Sequence, residues 1–161
     1  LDRAFKTVYS AQSARTSVQL AQAWCDAMDY KLVTFRTRNH AGAPVYHTDL
    51  TTWIGTDIAA CVFDCIWEED RDMVRASLEA TGRKIISLSM DELAGFSGNS
   101  LELRTNEGKK ILAMSSRAFA ALSDENREIL TGHYHDIVHT SLTTIERYGG
   151  GSARCMLTEL F

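Results

Sequence analysis

The chain has 161 residues, 45% of them hydrophobic and 24% charged, with a formal net charge of −4. That is the composition of a globular domain large enough to bury a core, and it excludes a disordered chain, a collagen-like repeat and a disulfide-stapled miniprotein. The charge balance offers no basic face, so neither nucleic acid nor a membrane surface is an expected partner; the longest apolar stretch, 58–67, is broken by Asp64 and too short to cross a bilayer.

Residues 4–9 read as a strand. Leu1 is not an initiator Met, and the stretch that follows has neither the basic start nor the apolar run of a signal peptide, so the sequence reads as part of a longer polypeptide. Thr16 is the expected cap of a helix running to about Met28, with Val18, Leu20, Ala21, Trp24, Cys25 and Met28 as its apolar stripe. Lys31–Arg36 reads as a strand, and 37–44 as a loop rich in Asn, Gly and Pro. Segments 45–56 and 57–66 look like two strands around Gly55. The spacing predicts a helix over 68–81, acidic in its first turn and stopped by Gly82. A strand follows over 84–89, then a hairpin of 100–104 and 110–115 across Asn106-Glu107-Gly108. Ser123 caps a helix that includes 125–131, and 137–140 and 154–161 are the last two strands. Trp24, Trp53 and Trp67 read as core.

A repeat underlies this order. Lys31-Leu-Val-Thr-Phe, Lys84-Ile-Ile-Ser-Leu and Asp136-Ile-Val-His-Thr each follow a helix and start 53 and 52 residues apart. Each is followed by a loop and another strand. Periods of this size argue for a repeated ββαβ unit, near 1–44, 45–97 and 98–161, in an α/β fold. If such units stack around an axis, the equivalent positions His47, Asn99 and Cys155 point into one cleft, and Asn99 becomes a candidate substrate contact.

The cysteines are Cys25, Cys61, Cys65 and Cys155, with no CxxC pair, which rules out a zinc ribbon or a thioredoxin-like site. Cys25, Cys61 and Cys65 lie in apolar patterns and read as small buried hydrophobes. Such usage points to a reducing compartment, the cytoplasm. Cys155 differs, because it follows Gly149-Gly150-Gly151-Ser152-Ala153-Arg154. Glycines let the backbone approach a ligand closely, and Arg154 adds positive charge beside the thiol. Cys155 then enters an apolar strand, where a reactive sulfur would be rigidly held, and His47 precedes Asp49 at another strand end, with both side chains on one face. Two readings stand: Cys155 as nucleophile with His47 as its base, or Cys155 as a buried strand residue and His47 as a loop residue. Arg154 either orients a substrate carboxylate or forms a salt bridge.

These residues resemble a known family. Tyr46-His47-Thr48-Asp49, the stretch Phe96-Ser97-Gly98-Asn99-Ser100-Leu101-Glu102-Leu103-Arg104, Met114-Ser115-Ser116-Arg117-Ala118, and Thr144 through Gly149-Gly150-Gly151-Ser152-Ala153-Arg154-Cys155-Met156 are similar to the arginine deiminase-related, amidinotransferase-like proteins, and most of all to the citrulline utilisation hydrolase branch. The resemblance covers nearly the whole chain. It implies a pentein fold, a five-bladed αβ propeller of ββαβ units of which this chain holds the C-terminal blades. It also implies a Cys-dependent hydrolase of the ureido or guanidino C–N bond of a citrulline- or arginine-like amino acid, with no metal or organic cofactor. In that family's terms Cys155 is the nucleophile, His47 the general acid and base, and Asp49 the holder of the substrate nitrogens. A further catalytic acid is implied in the half before Leu1. Asp49 stands where the citrulline branch often has Asn, and Asp suits a cationic guanidine whereas Asn suits a neutral ureide.

An amidinotransferase of the same fold, and an incomplete piece serving as an interaction module, are the alternatives. A cysteine peptidase is disfavoured, because the Gly-rich run precedes a strand rather than opening a helix. His133, His135 and His139 have a ligand-like spacing but read as a solvated turn. Glu102, Glu146 and Glu159 are spare carboxylates, Glu102 on the strand face turned to solvent. A partial propeller leaves open edges, so 4–9 or 154–161 is expected to pair with the missing half or with another copy of the chain.

Overall fold

The structure, a computed structural model, describes residues 1–158. Eight strands and six α-helices follow one another as β1 Thr7–Gln12, α1 Val18–Met28, β2 Lys31–Arg36, β3 Thr52–Ile54, β4 Ile58–Cys61, α2 Glu68–Glu79, β5 Lys84–Ser87, α3 Met90–Ala94, β6 Leu101–Arg104, β7 Lys110–Ser115, α4 Ser116–Ala121, α5 Asp124–His133, β8 Asp136–Thr140 and α6 Thr143–Tyr148. The strands form three separate sheets, ordered β1-β2, β3-β4-β5 and β6-β7-β8. In the second and third sheets the first pair is antiparallel and the last strand returns parallel after a helical crossover. The fold is therefore mixed α/β, and the second and third sheets are each built as a ββαβ unit. The first sheet has the parallel pair alone, β1 with β2. An isolated antiparallel bridge between Asp2 and Thr7 stands where the other two sheets have their leading strand.

The local reasons are those the sequence advertises, with shifts. Ser17 rather than Thr16 caps α1, its hydroxyl accepting from the Leu20 amide. Glu68, Glu69 and Asp70 sit in the first turn of α2, where the helix dipole favours negative charge. Gly82 follows that helix at φ +71°, a conformation that costs glycine little. Ser89 and Glu92 form a capping box on α3.

One apolar core runs through all three units. Its centre is β4, buried on both faces, where Ala59, Ala60 and Cys61 let neighbouring layers close in. Cys25, Cys61 and Cys65 are buried, and desolvation pushes the Cys65 thiol up to about 12. Trp53 is core as expected, but Trp24 and Trp67 are 41% and 42% exposed. Trp67 ends the loop before α2 and carries the Arg36 guanidinium over its ring. Trp24 shares an exposed stripe with Leu20 and Met28, since Cys25 is the buried residue of α1. The second unit explains why. There α2 packs across β2 of the preceding unit as well as on its own β5, and α1 has no preceding strand to cover among the described residues.

Polar staples tie the units together. Asp2 and Arg83 form a buried two-pronged ion pair, 2.5 and 3.1 Å, and the same guanidinium donates to the Gly55 carbonyl at 2.8 Å. Glu102, expected in solvent, accepts from the Tyr134 hydroxyl at 2.8 Å and from the Thr56 amide and hydroxyl. That part of β6 meets the turn of the neighbouring hairpin at Thr56 instead of water. Around the histidine cluster, the His139 ring stacks on Phe119, His133 lies against Tyr134 and Asp57, and His135 is exposed. No group of His, Cys, Asp and Glu that could hold a metal occurs among the described residues. No described helix is long and apolar enough to cross a membrane.

Candidate active site

Three loops meet at one edge of the core. The first carries His47 and Asp49. Segment 45–56 is not one long strand: a single 3-10 turn, Thr48–Leu50, precedes the short β3. His47 and Asp49 therefore do not share a strand face. The turn is pinned to β1, because the Ala11 amide donates to the Thr48 hydroxyl at 2.8 Å and the Ser13 hydroxyl to the Tyr46 carbonyl at 2.8 Å. His47 is half-buried, its ring 4.7 Å from that of Tyr46, and its carbonyl accepts from the Leu50 amide.

The second loop, 96–100, connects α3 to β6. Phe96 takes a left-handed φ of +69°, and Ser97, Gly98, Asn99 and Ser100 are all buried. A Cβ at Gly98 would lie 2.1 Å from the Leu50 carbonyl oxygen, so only glycine lets this loop lie against the 48–50 turn. Asn99, expected to line the cleft, is fully buried and used from every side. Its Nδ2 donates to the Asp49 carbonyl at 3.0 Å and to the Cys155 sulfur at 3.2 Å. Its Oδ1 accepts from the Ser152 amide at 3.1 Å and the Cys155 amide at 3.4 Å.

The third loop carries the nucleophile candidate. The strand expected over 154–161 is absent from its described part: Arg154–Met156 is a 3-10 turn, and 159–161 lie outside the described residues. The alternation that suggested a strand is overridden by the hydrogen bonds of the turn, Met156 amide to Ala153 carbonyl and Arg154 amide to Asn99 carbonyl. The Cys155 thiol is exposed, 3.3 Å from Asp49 Oδ2, to which it donates. Its pKa lies above the ordinary thiol value, chiefly through desolvation by the surrounding loop, with the Asp49 charge and hydrogen bond adding. The Ser152 amide and the Asn99 side chain pull the other way. The thiol thus rests against the Asp49 side chain. A Cβ at Gly151 would meet this sulfur at 2.8 Å, so the last glycine of the run makes room for it.

Beside these loops opens a cavity of about 620 Å³, lined by Asp49, Thr52, Trp53, Glu102, Arg104 and Arg154 among others. That is room for an amino acid with a long side chain. The structure brings Asp49, Asn99 and Cys155 into direct contact and sets Arg154 on the cavity wall with Asp49. His47 rides on the turn that carries Asp49. Two participants were missed by sequence reasoning. Tyr46, half-buried, reaches across to Gly150, whose added Cβ would meet its hydroxyl at 3.0 Å. Glu146, set aside as a spare carboxylate, is 7% exposed and accepts from the Ser152 hydroxyl at 2.7 Å. A glutamate just before a triple glycine was the available signal.

The match of the whole chain places it among the arginine deiminase-related proteins that modify guanidino groups. Within that class the chain belongs to the family described as N,N dimethylarginine dimethylhydrolase, eukaryotic, whose family model matches residues 1–161. Among curated proteins no relative matches the chain. Solved structures share its fold. ArgZ without ligand, an arginine dihydrolase from the ornithine-ammonia cycle in cyanobacteria, superimposes with a TM-score of 0.75 at 16% identity over 99% of this chain. The substrate-bound N-terminal domain of ArgZ gives 0.72 at 16% over 95%, and AgrE in complex with ornithine and NAD+ gives 0.77 at 18% over 100%. The chain spans 24% of the ArgZ chain, 51% of its N-terminal domain and 22% of AgrE.

Proposed function

We propose that the protein hydrolyses a guanidino or ureido C–N bond of an arginine- or citrulline-like amino acid through a covalent intermediate on Cys155. The observation that carries this reading is the 3.3 Å contact between the Cys155 thiol and the Asp49 carboxylate, with Asp49 also on the wall of the cavity. An amidine or urea carbon is a poor electrophile, so it needs a carboxylate to fix its nitrogens while sulfur adds. A cationic guanidinium seated on Asp49 offsets the carboxylate charge that adds to desolvation in keeping the thiol protonated, and so favours the thiolate. The thiol proton passes to His47, sulfur adds to the carbon, and the C–N bond breaks as His47 protonates the leaving amine. His47 then deprotonates a water that attacks the thiouronium or thiocarbamate, and as the C–S bond breaks the proton held by His47 returns to the sulfur, restoring the thiol. This chemistry balances without a metal or an organic cofactor. Arg154, on the same wall, is suited to the substrate's carboxylate.

Asp49 favours the cationic guanidine over the neutral citrulline ureide. The three units read as successive sectors of an αβ propeller. The bridge at Asp2, in the position of a leading strand, supports completion of the first sheet by further polypeptide of the same protein or by a second copy. Free Cys25, Cys61, Cys65 and Cys155 support the cytoplasm as its location.

The test uses a haloacetamidine probe and turnover of L-arginine, N-methylated arginine and L-citrulline. Labelling is expected in the wild type and in His47→Ala but not in Cys155→Ala, and turnover in neither variant. Turnover retained by both variants refutes the reading. Amine or ammonia release that requires an added acceptor amine identifies an amidinotransferase instead.

A further inference from the structure

The nucleophile sits at the end of a run with little stiffness of its own. Gly149, Gly150 and Gly151 have no side chains to restrict them, Gly150 takes φ +71°, and the 3-10 turn that holds Cys155 begins three residues on, at Arg154. Yet the sulfur must be held within a fraction of an ångström of its line of attack. The clamp is Ser152, fully buried and fixed at two points. Its amide donates to Asn99 Oδ1 at 3.1 Å, and its hydroxyl donates to Glu146 Oε1 at 2.7 Å. Asn99 passes the constraint on, its Nδ2 donating to the Cys155 sulfur at 3.2 Å. Glu146, Ser152, Asn99 and Cys155 thus form one continuous chain of hydrogen bonds. Glu146 itself is on α6, which ends at Tyr148, just before the glycines. Taking a carboxylate out of water is costly, and the bond it makes to a hydroxyl is of the stronger, charge-assisted kind.

We infer that Glu146 is a positioning residue for the nucleophile: through Ser152 and Asn99 it fixes the glycine loop so that the Cys155 sulfur stays against the Asp49 carboxylate, and it touches neither substrate nor sulfur. The turnover readout rests on the hydrolase reading above; the alkylation readout does not. The loop requires an acceptor at Glu146 Oε1, which glutamine also supplies.

The experiment compares the wild type, Glu146→Ala, Glu146→Gln, Ser152→Ala and the Glu146→Ala/Ser152→Ala pair. The measurements are the iodoacetamide alkylation rate of Cys155, kcat and KM for L-arginine, and the urea midpoint. Glu146→Ala and Ser152→Ala are each expected to slow alkylation and to lower kcat by about 10-fold or more, with KM nearly unchanged, because misplacing a reacting group costs rate rather than binding. Glu146→Gln is expected to restore both rates to within about threefold of the wild type, since it keeps the acceptor. The pair should be no worse than either single change, as for residues that act as a unit. Wild-type alkylation in folded Glu146→Ala or Ser152→Ala overturns the inference, as does additive loss in the pair or a Glu146→Gln as slow as Glu146→Ala. If Glu146→Ala does not fold, Ser152→Ala and Glu146→Gln decide. If the wild type alkylates but turns nothing over, the hydrolase reading fails while the alkylation series still decides the role of Glu146.

Discussion

Replacing Asn99 by alanine is the sharpest test of how the site is held. The change removes two donations, to the Asp49 carbonyl and the Cys155 sulfur, and one acceptor shared by the Ser152 and Cys155 amides. Ser152 is fully buried, so its amide finds no water in exchange. A buried donor left unpaired costs about 1–3 kcal/mol, and each ordinary hydrogen bond lost about 1 kcal/mol. The structure therefore predicts a destabilisation of about 3 kcal/mol for Asn99→Ala, enough to lower the melting temperature of a chain this size by about 6–12 °C. The same change removes a hydrogen bond that favours the thiolate, so the thiol pKa rises further and the alkylation profile of Cys155 moves to higher pH. Asn99→Asp keeps the acceptor for the Ser152 amide, loses the donor, and sets a second carboxylate, fully buried, beside the sulfur and the Asp49 carbonyl. It should cost at least as much stability as Asn99→Ala and shift the alkylation profile further. Urea denaturation and pH-dependent iodoacetamide alkylation measure both quantities. An Asn99→Ala protein with a wild-type midpoint and a superimposable alkylation profile would refute the claim that this amide joins the loops.

Two further outcomes follow from buried ionisable groups. Arg83→Ala strands the Asp2 carboxylate in the interior, where loss of one partner of such a pair costs about 3–5 kcal/mol; a urea midpoint close to wild type would refute the staple between the units. Desolvation raises the thiol pKa values of Cys61 and Cys65 on folding, the latter to about 12. The stability these neutral thiols permit is fully present below the unfolded thiol value of about 8.5 and is lost as pH rises toward the folded values. Melting temperatures taken from pH 8 upward should therefore fall, and a Cys61→Ala/Cys65→Ala protein should fall less steeply over the same window; parallel curves would refute the assignment.

Much of the fold was legible because it rests on local chemistry. The helix at α2 was announced by its acidic first turn and by Gly82, and β2, β5 and β8 by their spacing, which reflects one supersecondary unit used repeatedly. What misled was alternation without hydrogen-bond knowledge. Segments 45–56 and 154–158 contain period-two patterns, yet the carbonyls of His47 and Thr48 and of Ala153 and Arg154 are taken by amides three residues on, which closes turns instead of leaving them for a ladder. The stripe on α1 is apolar, yet Leu20, Trp24 and Met28 are exposed because a stripe is buried only where another element covers it.

The amino-acid sequence by itself determined the residue types of the candidate site: a cysteine after three glycines, a histidine two before an aspartate, and an asparagine at the matching place in the repeat. It did so because backbone freedom and intrinsic reactivity are properties of single residues. Only the tertiary structure decided what each one touches. Asn99 joins the loops from inside, Asp49 receives the thiol proton in a hydrogen bond, and Glu146 grips the glycine loop through Ser152. Those contacts join segments as far as 106 residues apart, and no local preference of the chain encodes a distance across the fold.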